Sequence, residues 1–210
     1  NLIKMRLRPA VRLKWLESAL QASKNTKDTE AEMCHLLNAG LEHGEQGSYA
    51  QSIEYFQQTL ELAKQLNKRD DEGVIFRHIG IAYSAMGDIA RSLEFHQKEL
   101  DLAVSRGDKE NEGKALASMG NVHKRAGNFP QAIEFFQRWL AIAQGTADQR
   151  TEGQALKILA DTTMEIADEM DSVLDLYLKS LRVFQALKDR HSEAVVFKGL
   201  GFAHLKMSNY

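Results

Sequence analysis

The side chains best suited to chemistry in this chain are its seven histidines and Cys34, because imidazole and thiolate groups bind metals and carry protons near neutral pH. Their spacing keeps them apart. His35 and His43 lie eight residues apart on one helical pattern, and His78, His96, His123, His191 and His204 fall in separate stretches. No two have the i, i+4 interval that turns two imidazoles toward one metal. Cys34 has no basic cluster beside it to lower its pKa, so it reads as a buried structural thiol rather than a nucleophile. Acidic pairs such as Asp70-Asp71 stand where helix capping and solvation account for them. The chain carries no Gly-x-x-x-x-Gly-Lys-Ser/Thr loop, no Gly-x-Gly-x-x-Gly, no His-Glu-x-x-His and no Gly-x-Ser-x-Gly. The expectation is a protein that is not an enzyme, with no catalytic residue, no metal site and no cofactor.

What remains is recognition, and the elements that would position recognising side chains follow from composition and periodicity. With 43% hydrophobic and 27% charged residues over 210 positions, the chain has the balance of a soluble, well-cored globular protein. Two prolines in that length leave long helices uninterrupted, which predicts an all-α chain. A single cysteine cannot close an internal disulfide, so a cytoplasmic location is expected. No run reaches the ~18 consecutive apolar residues of a membrane span, and a formal net charge of -2 argues against a surface that coats nucleic acid. The first 27 residues nevertheless hold seven Lys or Arg (Lys4, Arg6, Arg8, Arg12, Lys14, Lys24, Lys27) against Glu17 alone. This start reads first as the solvated face of a helix. The alternative is a basic N-terminal helix that contacts an anionic membrane or nucleic acid.

Laid on itself at an offset of 40 residues, the chain aligns Gly40, Gly80, Gly120 and Ala160. Glu32, Glu72, Glu112 and Glu152 align as well, as do Gly47, Gly87 and Gly127, and Leu20, Leu60, Leu100 and Leu140. Beyond residue 160 the offset becomes 41, which puts one inserted residue between Glu165 and Val173. Each unit reads as two helices joined by a short turn at Gly47-Ser48-Tyr49, Gly87-Asp88-Ile89 or Gly127-Asn128-Phe129, where glycine tolerates the left-handed conformation that ends a helix. The second helix has an apolar stripe, Ile53, Phe56, Leu60 and Ala63 in one unit and Ile133, Phe136, Leu140 and Ala143 in another. The first helix carries Phe76, Ile79, Gly80 and Tyr83, with the glycine marking a close approach by a neighbouring helix. Asp108 and Asp148 are expected to cap the helices that follow them.

These residues resemble the tetratricopeptide repeat, a helix-turn-helix unit. The matching positions are Phe76, Ile79-Gly80, Tyr83, Gly87, Leu93 and Leu100, then Met119-Gly120, Gly127-Asn128-Phe129, Ala132, Phe136 and Leu140. A period of 40 rather than ~34, and the missing proline between units, are similar to the longer-helix subclass seen in Pins/LGN-type polarity scaffolds and in bacterial repeat proteins. Glu99 and Trp139 depart from the small residue that the shorter class prefers. The resemblance implies an all-α, right-handed α-α superhelix, a solenoid of about ten antiparallel helices. It would be a single array over 1–210, with half repeats at 1–27 and 189–210 and full repeats at about 28–67, 68–107, 108–147 and 148–188. Two unpaired ends imply a fragment of a longer protein.

In such scaffolds the first helix of each unit lines a concave groove, through its second, fifth, ninth and twelfth positions. On this chain the resemblance implies Cys34, Leu37, Leu41 and Gly44, then Val74, Arg77, Ile81 and Ser84, then Lys114, Ala117, Asn121 and Lys124. Gln154, Lys157, Asp161 and Met164 follow, and the last set is Val195, Lys198, Phe202 and Leu205. The candidate peptide-binding residues are therefore Arg77, Ser84, Lys114, Asn121, Lys124, Lys157, Asp161, Lys198 and Phe202. Their donors suit an acidic segment of a protein or peptide, and Asn121 would pair with an extended backbone. The bland reading is that Asp161 and Glu165 neutralise neighbouring lysines, and that Leu37, Leu41 and Phe202 pack against adjacent repeats. The leading function is a non-catalytic protein-protein interaction scaffold. A second comes from Arg12-Leu13-Lys14-Trp15-Leu16-Glu17-Ser18-Ala19-Leu20, which resembles the first repeat after the nucleotide-binding domain of bacterial NB-ARC-type signalling ATPases, where the arm senses a ligand and holds the ATPase inhibited.

Overall fold

A connection of three residues cannot carry a helix forward and still bury its apolar stripe, so the helices it joins within one compact unit turn back on one another. The computed structural model describes residues 9–167 and 170–208. Lys4, Arg6 and Arg8 of the basic start, and Asn209-Tyr210 of the closing turn, lie outside the described residues. The helices fall into two compact units, Asn1–Arg106 and Gly107–Tyr210. The first holds α1 (Pro9–Thr26), α2 (Thr29–Glu45), α3 (Tyr49–Gln65), α4 (Arg69–Ala85) and α5 (Ile89–Ser105). The second holds α6 (Lys109–Arg125), α7 (Phe129–Gly145), α8 (Gln149–Thr163), α9 (Asp171–Ala186) and α10 (Arg190–Ser208). Within each unit every helix packs against the next, and no strand occurs among the described residues.

The period has a simple origin. Helices α2 to α7 are each 17 residues long, and with three-residue connections two of them fill 40 positions. The inserted residue falls after α8, which is 15 residues long and is followed by a longer connection to Asp171. Asp28, Asp108, Asp148 and Asp189 cap the first helix of four units, accepting backbone N–H groups from Ala31, Asn111, Thr151 and Ser192 at 3.0–3.1 Å. The caps expected at Asp108 and Asp148 are therefore present.

Helix ends close by one motif at both kinds of turn. At the turn inside a unit, the Ser48 amide donates to His43 O (2.9 Å) and the Gly47 amide to Gly44 O (3.1 Å), with Gly47 at φ +78°. A Cβ at Gly47 would touch nothing, so the left-handed backbone alone calls for glycine. Between units the same pair of bonds forms, Asp148 N to Ala143 O and Ala147 N to Gln144 O, but the left-handed residue is Ala147 at φ +56°. Lys27, Asn67 and Lys188 hold the same conformation, which asparagine adopts more readily than most side chains but which nothing in the lysines announced.

The cores form where the second helix meets the first. In the first unit Ile53, Phe56, Leu60 and Ala63 are buried against Met33, Ile75, Ile79 and Tyr83. The glycine column sits under a ring each time: a Cβ at Gly40 would lie 2.6 Å from Phe56, and one at Gly80 2.8 Å from His96. Ser52 and Ser92 donate their hydroxyls to the carbonyls of those glycines at 2.7 and 2.8 Å, pinning the register of each pair. In the second unit a Cβ at Gly120 would come 2.5 Å from Phe136, and Ala132 takes the serine position. The core of its C-terminal half joins Ala160, Val173, Tyr177, Leu181, Phe184, Val196 and Ala203.

Candidate functional site

In the unit spanning Gly107–Tyr210, the first-type helices α8 and α10 flank a cavity of about 310 Å³. Its floor is the ring of Phe184 on α9, which fits because Gly153 has no side chain; a Cβ there would lie 2.8 Å from the ring. Ser180 donates to Gly153 O at 2.8 Å and fixes that approach. The walls are mixed, with Ile158, Val195 and Val196 apolar and Gln154, Lys157, His191 and Ser192 polar. The volume suits one or two side chains of a bound segment, near the lower end of small-molecule pockets.

The mouth is held by a small polar network. Asp189 accepts the Ser192 amide at 3.1 Å and its hydroxyl at 2.9 Å, and Arg150 reaches across from α8 to the same carboxylate at 2.7 Å. The Ser192 amide, then its hydroxyl and then Arg150, hold the Asp189 carboxyl below the usual carboxylate range. Lys157 pairs with Asp161 at 2.7 Å, and the other oxygen of Asp161 accepts the Tyr177 hydroxyl at 2.6 Å. Burial, reinforced by that carboxylate, pushes the Tyr177 phenol well above its ordinary value, so it stays a donor. Lys157 is thereby aimed along the cavity wall while its ammonium keeps further N–H groups for another acceptor.

Other groove candidates of this unit divide into engaged and open side chains. Lys114 pairs with Glu110 one turn back on the same helix. The side chains of Asn121 and Lys124 have no hydrogen-bond or ion-pair partner among the described residues. On α10, Lys198 stands 5.7 Å from the centroid of the exposed Phe202 ring, and Val195 and Leu205 are also exposed. His123, on the same turn of α6 as Lys124, stacks on Phe135 at 5.3 Å, and burial lowers its pKa, favouring the neutral imidazole.

The unit spanning Asn1–Arg106 uses its corresponding residues differently. Arg77 donates to Glu99 at 2.5 Å, and the second oxygen of that carboxylate faces His96 Nδ1 at 3.2 Å. The Glu99 side chain is 1% exposed, so this is an interior ion pair rather than a donor aimed outward. Ser84 is buried, and Leu37 and Leu41 pack against the core cluster. Arg12 of the basic start is bound to the buried Glu42 by two bonds of 2.7 and 2.8 Å. Cys34 corrects the sequence reading: it is exposed, because its helix turns that position away from α3. Among the described residues no cluster of three or more His, Cys, Asp or Glu could hold a metal ion, and no helix is long and apolar enough to cross a membrane.

Sequence reasoning named His191 only among the scattered histidines, passed over Ser192, and noted Glu99 only as a departure from the repeat. The signal for Glu99 was present: a carboxylate within an otherwise apolar stripe needs a partner. Nothing local marks His191 and Ser192, which enter the cavity only through the pairing of α8 with α10.

The fold defines an all-α protein built of repeated helix-turn-helix pairs among the described residues. Residues 71–145 match the tetratricopeptide repeat family model. That segment is therefore made of tetratricopeptide repeats, and the described chain has the corresponding fold. Among solved structures, the apo form of RapI superposes with a TM-score of 0.78 at 12% identity, covering 92% of this chain and 55% of its own. BtubC (BKLC) from P. vanneervenii gives 0.72 at 12% identity, covering 97% of this chain and 94% of its own. PlcR from Bacillus thuringiensis, solved in complex with the peptide PapR7 and DNA, gives 0.65 at 12% identity, with 90% and 69% covered. The chain thus spans about half the length of RapI. No curated protein matches it in sequence.

Proposed function

We propose that this chain is a non-catalytic protein-interaction module whose Gly107–Tyr210 unit holds a peptide segment against α6, α8 and α10. The observation that carries the reading is the cavity between α8 and α10, lined by Gln154, Lys157 and Val195, which all belong to the groove stripe. An apolar side chain of the segment enters over Phe184, and a carboxylate beside it meets Lys157, with Gln154 and His191 as further polar neighbours. Lys124 and Lys198 extend the same preference for an acidic segment, and Asn121 is placed for a backbone group. PlcR, with the same fold, was solved with a peptide, which supports this ligand class.

The test is a random-peptide display screen against the purified chain, followed by calorimetry on the enriched sequences. Enrichment of an apolar residue next to Asp or Glu is expected, and Lys157→Glu should weaken the best peptide at least ~tenfold, or about 1.4 kcal/mol. Lys179→Glu, on the surface of α9, serves as the control and should change little. Equal losses from the two substitutions, or enrichment of basic peptides, would overturn the reading.

A further inference from the structure

The ring column of the second-type helices runs Phe56, His96, Phe136 and Tyr177. Each of the first three rings lies over a glycine of the helix before it, Gly40, Gly80 or Gly120. At the fourth, that glycine is replaced by the buried Ala160, and a glycine stands instead on the helix that follows. A Cβ at Gly199 would lie 2.5 Å from the Tyr177 ring and 2.9 Å from its hydroxyl oxygen. In the Asn1–Arg106 unit the matching position holds His78, which stacks on Phe56 at 5.4 Å. Position 161 departs as well, since the repeat has Leu41, Ile81 and Asn121 there. Three departures therefore meet at one point: a hydroxyl on the ring, a glycine beside it, and a carboxylate that accepts the hydroxyl at 2.6 Å. Packing alone does not call for the hydroxyl, because Phe136 fills the same column without one. Tyr177 is fully buried, yet the Lys157 and Asp161 side chains are 27% and 24% exposed, so the bond runs from the core to the groove surface.

We propose that Tyr177 is a positioning residue that makes the cavity selective for a carboxylate-bearing segment: its hydroxyl fixes Asp161, and Asp161 fixes the ammonium of Lys157. This inference rests on the cavity being the peptide site. The two oxygens of Asp161 have separate tasks, Oδ1 accepting the Tyr177 hydroxyl at 2.6 Å and Oδ2 accepting Lys157 at 2.7 Å. A carboxylate held at one oxygen by a buried donor cannot turn away to solvent, so Lys157, one helical turn back, stays against it. Lys157 spends one N–H on this bond and keeps the others for a carboxylate in the cavity. The phenol remains a donor because burial, and then the Asp161 carboxylate, raise its pKa. Lys179 supplies the contrast. It pairs with Asp175 at 2.6 Å, but both side chains are more than half exposed, and Asp175 accepts no buried hydroxyl among the described residues. Such a pair is easily opened.

Phenylalanine already stands in this column at Phe56 and Phe136, so Tyr177→Phe keeps the fold, which circular dichroism checks. The first readout needs no ligand. Acetylation of Lys157 by sulfo-NHS-acetate, followed by mass spectrometry, should run at least ~threefold faster in Tyr177→Phe, with Lys179 unchanged. In an Asp161→Ala background the hydroxyl has nothing to hold, so adding Tyr177→Phe should leave the Lys157 rate unaltered. The second readout uses the peptide Gly-Ser-Leu-Glu-Ser-Gly and its Leu-Gln counterpart, titrated against the methyl NMR signals of Val195 and Val196, which line the cavity. Tyr177→Phe should weaken the glutamate peptide at least ~threefold and leave the glutamine peptide unchanged, whereas a loosened core would weaken both. An unchanged Lys157 rate in Tyr177→Phe, the same rise with and without Asp161, or equal loss of the two peptides overturns the proposal. If neither peptide moves the methyl signals while Lys157 reacts faster as expected, the peptide site is refuted and the hold of Tyr177 on Lys157 stands.

Discussion

Two alanine substitutions in the same repeat column should move stability in opposite directions. At Gly120 the added methyl carbon would lie 2.5, 2.8 and 2.9 Å from three carbons of the Phe136 ring, which is fully buried and has no room to retreat. Overpacking of this kind costs about 1–3 kcal/mol, and the better helix propensity of alanine returns about 1 kcal/mol. The net expectation for Gly120→Ala is a loss of about 1 kcal/mol, rising to about 2 if the ring cannot tilt. At Gly201 no atom opposes the methyl, so Gly201→Ala should gain about 0.5–1 kcal/mol. Repeat arrays can unfold piecewise, so the readout must be local. Trp139 supplies it, with its ring 6.4 Å from that of Phe136, in a Trp15→Phe background that silences the other indole. Urea titrations followed by this fluorescence should show the midpoint falling for Gly120→Ala, and helix circular dichroism should show no loss for Gly201→Ala. In a Phe136→Leu background Gly120→Ala should become neutral or stabilising, because the atoms it strikes are gone. If Gly120→Ala stabilises the original chain as much as Gly201→Ala does, the ring does not rest on the glycine and the packing argument fails.

Three further outcomes follow from the same geometry. Ala147→Gly should stabilise by about 0.5–1 kcal/mol, because residue 147 holds a left-handed backbone that alanine adopts at a cost; a lower urea midpoint would contradict this. Glu99→Ala removes the buried carboxylate shared by Arg77 and His96 and should cost about 3 kcal/mol, while Arg77→Met with Glu99→Leu should recover most of it; a single-variant loss below about 1 kcal/mol would show the pair to be dispensable. The capping carboxyls of Asp88, Asp148 and Asp189 have pKa values lowered from 3.8, by the Arg91 amide, by the Thr151 hydroxyl and by the Ser192 amide as the leading causes. Their stabilisation is complete above the unfolded value near 3.8 and is lost as pH falls through the lower folded values. Urea midpoints measured downward from pH 5 should therefore fall less steeply in the triple Asp→Asn variant, and identical slopes would remove these caps from the acid response.

The helices, their pairing within units and the length of the repeat were legible before any coordinates, because each depends on local chemistry. The spacing of Ile53, Phe56, Leu60 and Ala63 selects one helical face, Gly47 and Gly127 mark the turns, and Asp108 and Asp148 supply the caps. The insertion after residue 160 was also visible as a shift in offset, and it falls between α8 and α9. The left-handed turns at Ala147 and Lys188 were hidden, since the three-residue connection imposes that conformation on whatever residue occupies it.

The site was legible only as a face. Periodicity assigns Arg77, Lys157 and Lys124 to one stripe, but the state of each side chain depends on groups that periodicity does not register. Arg77 meets Glu99 from a helix 22 residues on, and Lys157 shares Asp161 with Tyr177 of the next helix. Lys124 meets no such group among the described residues. The exposure of Cys34 and the cavity over Phe184 belong to the same class. Helix formation is decided within a turn or two of the chain, whereas burial and ion pairing are decided by residues that only packing brings together.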